Sequence, residues 1–441
     1  MIKTLIISTT VLSTITVGAQ NREIKFTEFD LDNGLHVILH EDHSTPIVAV
    51  SVLYHVGSKN EKPDRTGFAH FFEHLLFEGS ENIERGKFAE HVESNGGVLN
   101  AYTSNDKTFY FNILPSNQLE LGLWLESERM LHAKVDIVGV ETQREVVKEE
   151  KRLRVDNQPY GSLIEEIMKR AFKVHPYRWM PIGSMEHLNA ASEEDYKEFY
   201  KTFYVPNNAV LSIAGSFDSK QAKELITRYF KDIPKGGIAK PVVSMNEPPL
   251  EGEIRDTIFD NIQLPAVVQA YRIPEQTHPD AYALDMLTML MSQGNSSRLQ
   301  KRSVDETQSA LFIGMFPFSL EHPGVALTFG ICNQGVDPAK LEAEMNEEIG
   351  KLKKELISDK EMERLMNQIE NDFVNNNKNM MSIADNLASA YVFRGNTNYI
   401  NEEMKKYTKI TKEDIRRVAN QYLKESNRVV LYYLPKDETE N

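Results

Sequence analysis

The chain has 441 residues, too many for one hydrophobic core of ordinary size, so two domains are expected. Its 65 acidic residues against 50 basic ones give a formal net charge of −15, which argues against nucleic acid or another polyanion as a partner. Cys332 is the only cysteine, so an intramolecular disulfide is excluded and the thiol reads as a small buried hydrophobe.

Residues 1–19 read as a secretory signal. Lys3 gives the positive start, Leu5 to Val17 is apolar with interspersed Ser and Thr, and Val17-Gly18-Ala19 offers small residues before cleavage ahead of Gln20. The stretch is short and threonine-rich for a membrane anchor, it holds no lipoprotein cysteine, and no later run approaches bilayer length. A soluble protein exported to the periplasm or the extracellular space is expected. Pro46 to Val50 then reads as a strand that leads into an apolar helix, Gly67 to Phe77. Inside it His70, Phe71, Phe72, Glu73 and His74 spell His-x-x-Glu-His. Residues four apart share a helix face, so both imidazoles can reach one metal ion, while Glu73 lies on the adjoining edge of that face. The same five residues also fit two packed histidines, because Phe68, Phe71, Phe72, Leu75 and Leu76 form a core stripe. A third ligand is needed to decide.

Val98 to Thr103 and Thr108 to Leu114 read as an antiparallel hairpin, and Ser116 to His132 as an amphipathic helix with Ser116 as its N-cap. Val140 to Arg154 has helical composition. Gln143, Val146, Val147 and Glu150 line one face of it, whereas Glu141, Glu145 and Glu149 fall elsewhere and read as solvated. Next, Ser192-Glu193-Glu194-Asp195 opens a helix that is followed by the strand Asn208 to Ser212. The pattern recurs as Thr411-Lys412-Glu413-Asp414 and the strand Asn427 to Leu431. Asp195 and Asp414, like Asn208 and Asn427, are 219 positions apart, which predicts duplication of one fold unit. Pro46 to Val50 is matched by Pro265 to Gln269. Aligning Gly79 with Gly294 puts Asp285, Thr288 and Met289 where the first half has His70, Glu73 and His74, so the second half is expected to hold no metal. The Pro- and Gly-rich stretch between the halves reads as a linker, giving domains at 22–236 and 249–438 joined by 237–248. The Lys-rich stretch Lys351 to Lys354, alternating with glutamates nearby, reads as a solvated helix face. Strands interleaved with helices in each half predict an α+β fold.

On the inverted motif, on Glu150 downstream of it, and on the flanking segments Gly96 to Thr103, Asp106 to Tyr110 and Asn157 to Gly161, the chain resembles the pitrilysin or insulinase-like zinc peptidases. The resemblance spans essentially the whole mature chain. It implies two duplicated sandwiches, each a mixed sheet covered by helices, that face one another across a chamber. It also implies zinc held by His70, His74 and Glu150, with Glu73 as the proton acceptor for an attacking water. In the family the segment from Asn100 to Thr103 is an edge that grips an extended peptide, which makes Asn100, Ala101 and Thr103 substrate-binding candidates. The alternative is that this hairpin only fills the core beside the site.

Two departures from the family stand out. Many relatives carry an acid seven positions before the ligand glutamate, where this chain has Gln143, a candidate for outer support that can hydrogen-bond but cannot supply charge. Active relatives also use an arginine and a tyrosine of the second domain to hold substrate and stabilise the oxyanion, and alignment on Ser296 to Leu299 puts Val304 and Leu311 there. Arg298 belongs to the preceding turn motif. The resemblance therefore implies a zinc-dependent endopeptidase for peptides and unfolded segments, working as the zinc subunit of a heterodimer whose homologous metal-free partner supplies Arg and Tyr. A weakly active homodimer, a non-catalytic scaffold subunit and a processing enzyme for one exported precursor are the other readings. Cobalt or manganese could occupy the same N and O ligands in vitro.

Overall fold

The computed structural model describes residues 23–237 and 245–436; the signal-like segment 1–19 and most of the joining segment 237–248 lie outside them. The first half builds a six-stranded sheet from β1 (Thr27–Asp30), β2 (His36–Glu41), β3 (Ile47–Tyr54), β4 (Val98–Thr103), β5 (Thr108–Pro115) and β6 (Ala209–Gly215), in the order β1-β2-β6-β3-β5-β4. The second half builds a five-stranded sheet from β7 (Ile254–Asp260), β8 (Ala266–Ile273), β9 (Ala310–Phe318), β10 (Gly324–Cys332) and β11 (Arg428–Pro435), in the order β7-β11-β8-β10-β9. Both sheets are mixed. β2 with β6 and β7 with β11 run parallel, and every other ladder is antiparallel. Strand for strand the second sheet repeats the first without β1, and the class is α+β as expected.

The central strands β3, β6 and β8 are buried along nearly their whole length and mostly apolar because helices cover both faces. In β3, Val48, Val50, Val52 and Tyr54 enter one core and Ala49 and Leu53 another; in β8, Val267, Tyr271 and Ile273 part from Ala266, Val268 and Ala270 in the same way. Side chains alternating across a strand produce this division. The covering helices come from unexpected places. On its second face the first sheet packs against Met380–Arg394 of the second half, through Ile383, Ala384, Leu387 and Ala388. The second sheet is covered in turn by Leu163–Ala171 of the first half, through Leu163, Ile167 and Met168. Each half thus lends a helix to the other's sheet.

Local chemistry explains the repeat read from the sequence. Ser192 and Thr411 each close a capping box with the Asp three residues on, so two helices start the same way 219 positions apart. One capping expectation is corrected: Ser116 opens a short 3-10 turn, Ser116–Gln118, and the following helix, Leu119–Leu131, begins without a side-chain cap. Pro115 delivers the chain in extended form, and the tighter turn takes up the first residues.

Candidate metal centre

The helix carrying the histidine motif is short, Phe68–Leu75, so its exposed backbone ends weigh heavily on its stability. Its start is a left-handed Gly67, with φ of 96°, and the buried carboxylate of Glu61 accepts hydrogen bonds from the N–H groups of Gly67 and Ala69, both at 2.9 Å. At the other end the fully buried Arg129 donates to the carbonyl of Leu76 at 2.8 Å and pairs with Glu126 at 3.1 Å. Its guanidinium lies 4.3–4.5 Å from the ring centres of Tyr110, Phe88 and Phe77. Tyr110 also donates its hydroxyl to the Phe72 carbonyl at 2.8 Å. Acid at the N-terminus and base at the C-terminus complement the helix dipole. The aromatic stripe packs as well: Phe68 stacks on Tyr196 with ring centres 4.6 Å apart. Core packing and site geometry are therefore two faces of one helix.

Glu150 comes from the helix Ile137–Lys151. Asp136 caps it by accepting the Gly139 N–H at 2.9 Å, and Arg85 bridges Asp136 (2.8 Å) to Glu78 (2.6 Å). Glu78 in turn accepts a hydrogen bond from Gln143 at 2.5 Å. The charge missing at Gln143 is thus met from the segment just after the histidine motif, and the two helices are tied together two turns before Glu150. Val147 is buried on this face but Val146 is exposed, because the contact stripe is narrower than the i+3, i+4 spacing suggested. Glu141, Glu145 and Glu149 are exposed, as read from the sequence.

The structure brings His70, His74 and Glu150 together: one donor atom from each falls within 4.8 Å of the others, the only such cluster of metal-binding groups among the described residues. Glu150 Oε2 lies 3.0 Å from His74 Nε2 and 3.4 Å from His70 Nε2. It is nevertheless buried without a properly directed hydrogen bond. Burial and the neighbouring His74 push the His70 imidazole down to about 4, so it is neutral and its lone pair is available. A neutral His70 imidazole, the His74 imidazole and a Glu150 carboxylate oxygen left without a directed hydrogen bond converge in a way that fits a zinc ion with an open fourth position. The other ring nitrogen of His70, Nδ1, is buried and makes no hydrogen bond among the described residues.

Glu73 is half-buried beside this cluster. Burial raises its carboxyl above the ordinary range, while a hydrogen bond from the Thr103 hydroxyl and the nearby His74 pull it back. Thr103 ends β4, the free edge of the first sheet. Along that edge Asn100 is exposed, the Ala101 side chain is buried, and Asn100 Oδ1 accepts the Ala101 N–H at 2.9 Å. An outward N–H of the edge is thus covered by a neighbouring side chain. In the second half Val304 packs against the core, Leu311 is 61% exposed, and Arg298 is bound to Glu361 at 2.9 Å. Val304 and Leu311 have no donor to offer, and Arg298 is tied to Glu361 through Nε and Nη2.

Sequence reading missed Glu61, Glu78, Arg85, Asp136 and Arg129. Asp136 followed by Gly139 at the head of a helical run was the one local signal. The others act through contacts distant in sequence.

Residues 36–179 match the family model described as Insulinase (Peptidase family M16), and residues 190–369 match the one described as Peptidase M16 inactive domain. The chain is 31% identical over 428 residues to the zinc protease PqqE of Helicobacter pylori, covering 96% of each. It superimposes on the crystal structure of a protease from the same organism with a TM-score of 0.89 and 30% identity, covering 94% of this chain and 100% of that one. Against the periplasmic protease PqqL from Escherichia coli the TM-score is 0.76 at 21% identity, with 93% of this chain matched to 47% of that one.

Proposed function

Since this chain belongs to the insulinase family of peptidases, M16, we propose that it is a zinc-dependent endopeptidase in which His70, His74 and Glu150 hold the metal. The observation that carries the reading is the convergence of those three donors, within 4.8 Å of one another, beside a half-buried Glu73. When bound, zinc supplies Lewis acidity that acidifies water and polarises a carbonyl. Glu73 accepts the proton of the attacking water and returns it to the leaving amine, and the raised affinity of its carboxyl for protons suits both tasks. Thr103 steadies that carboxylate from the edge strand. An extended peptide adds to β4, with Asn100 turning away from the Ala101 N–H to admit a substrate carbonyl.

Backbone pairing reads little side-chain identity, so peptides and unfolded segments are the substrate class. The zinc-bearing unit is assigned to 22–236 and the metal-free unit to 249–438, joined by 237–248. With Val304 and Leu311 unable to donate, full activity calls for a homologous, metal-free subunit that brings Arg and Tyr. The signal-like residues 1–19 support export to the periplasm or beyond, the compartment named for the Escherichia coli protease. No helix among the described residues is long and apolar enough to cross a membrane. A scaffold role is the second reading, favoured by the absent donor pair.

Chelation tests the proposal. Phenanthroline should stop cleavage of a quenched peptide and added zinc should restore it. Cleavage that survives metal removal contradicts the assignment. Mixing the chain with a metal-free homologue should raise activity, and a chain fully active alone contradicts the partner requirement.

A further inference from the structure

The helix that supplies Glu150 does not stop at Lys151. It widens into a single π-type turn, Arg152–Asp156, closed by a hydrogen bond from the Asn157 N–H to the Arg152 carbonyl at 2.9 Å. Such turns recur at functional sites because they re-aim side chains. Here Arg154 Nη1 sits 2.7 Å from Glu150 Oε1, while Oε2 of the same carboxylate faces the two imidazoles. A guanidinium thus stands one carboxylate's width from the metal position.

Its basic neighbours are engaged elsewhere. Lys148 binds Glu145 at 2.7 Å, Lys151 binds Asp156 at 2.6 Å, and Arg152 binds Glu149 at 3.3 Å, all on carboxylates outside the site. The Arg154 side chain is 77% exposed against 14% for Glu150, so it reaches into solvent beside the site. An arginine has five N–H donors in a planar fork, and this ion pair is its only contact among those described. Its charge also reaches His70, Glu73 and Glu150. In a chain of net charge −15 an acidic peptide is repelled at long range, so only a local cation can favour it.

Resting on the zinc-peptidase reading above, we propose that Arg154 is a specificity-determining residue that binds a carboxylate of the peptide substrate beside the metal centre. The carboxylate is an acidic side chain or a free C-terminus. Either accepts the two parallel N–H bonds that a guanidinium offers and an ammonium does not.

The test is peptide binding by zinc-loaded Glu73→Gln protein, which need not turn over. Labelled peptides are compared in pairs, Glu against Gln at one position and free C-terminus against carboxamide, by fluorescence anisotropy. The carboxylate member should bind about tenfold tighter in one pair, and that pair identifies the source. Adding Arg154→Gln should erase the preference, Arg154→Lys should restore part of it, and zinc content and affinity for the neutral peptides should stay unchanged. A preference that survives Arg154→Gln, or that never exists, overturns the assignment. Loss of zinc, or an equal loss of affinity for neutral and acidic peptides, also overturns it, because Arg154 then only holds Glu150. The peptidase reading fails differently: the parent chain then binds no zinc and cleaves nothing.

Discussion

The helices Phe68–Leu75 and Ala281–Ser292 enter matching sheets at matching places, yet one presents two imidazoles and a carboxylate and the other does not. In the second helix Asp285 replaces His70, and its carboxylate accepts a hydrogen bond from the Tyr407 hydroxyl at 2.6 Å, with burial raising its proton affinity. Thr288 replaces Glu73 and turns its hydroxyl back to the Asp285 carbonyl at 2.8 Å, and Met289 replaces His74. Most of the rest of that helix is buried and apolar. The frame is therefore indifferent to the chemistry it carries. A duplicated fold can lose its metal donors while keeping their positions, provided each buried polar group finds another partner.

The sharpest break in the comparison is to make the first helix inert at one atom. Glu73→Gln should lower peptide turnover by about 10²–10⁴-fold with zinc content unchanged, read by a quenched-peptide assay beside metal analysis. The shared frame can be probed from either side. Leu387→Ala on the helix lent to the first sheet, and Ile167→Ala on the one lent to the second, should each cost about 2–5 kcal/mol in urea unfolding. Independent halves would instead show two transitions, with each substitution moving only one.

A third probe concerns the polar seam between the halves. Glu321 bonds His55 at 2.8 Å and Lys59 at 2.5 Å, and its backbone N–H donates to Asp106 at 3.0 Å. Burial opposes its ionisation, but His55 and Lys59 hold the carboxyl down at about 2. A depressed folded value means the stabilisation is complete above the unfolded value near 4 and is lost as pH falls toward about 2. Unfolding between those limits should show a loss on the order of 2 kcal/mol that Glu321→Gln lacks. The smallest effect is expected from Thr103→Val. Removing the hydroxyl on Glu73 should reduce turnover by roughly fivefold, about 1 kcal/mol, and move the acid limb of the pH profile upward.

Much of this was legible in the sequence because it is local. The His-x-x-Glu-His spacing fixes one helix face, and the capping boxes at Ser192 and Thr411 fix two helix starts. What escaped was long-range. The buried pair Glu61 and Arg129 reads as two ordinary charged residues until the fold puts them at opposite ends of one short helix. Nothing near Leu163 or Met380 says that each helix will cover the other half's sheet, because an apolar stripe states that it needs a partner and not which one. Gln143 looked like a lost charge, and only the contact with Glu78 shows where the charge went.

The central claim is that Glu150, far from the histidines in sequence, completes a zinc site with them. Zinc per chain, measured by mass spectrometry for the parent and for Glu150→Gln, tests it most directly. The parent should hold one zinc and the variant a small fraction of that, with the fold intact by circular dichroism. Full zinc in Glu150→Gln, or none in the parent, would contradict it.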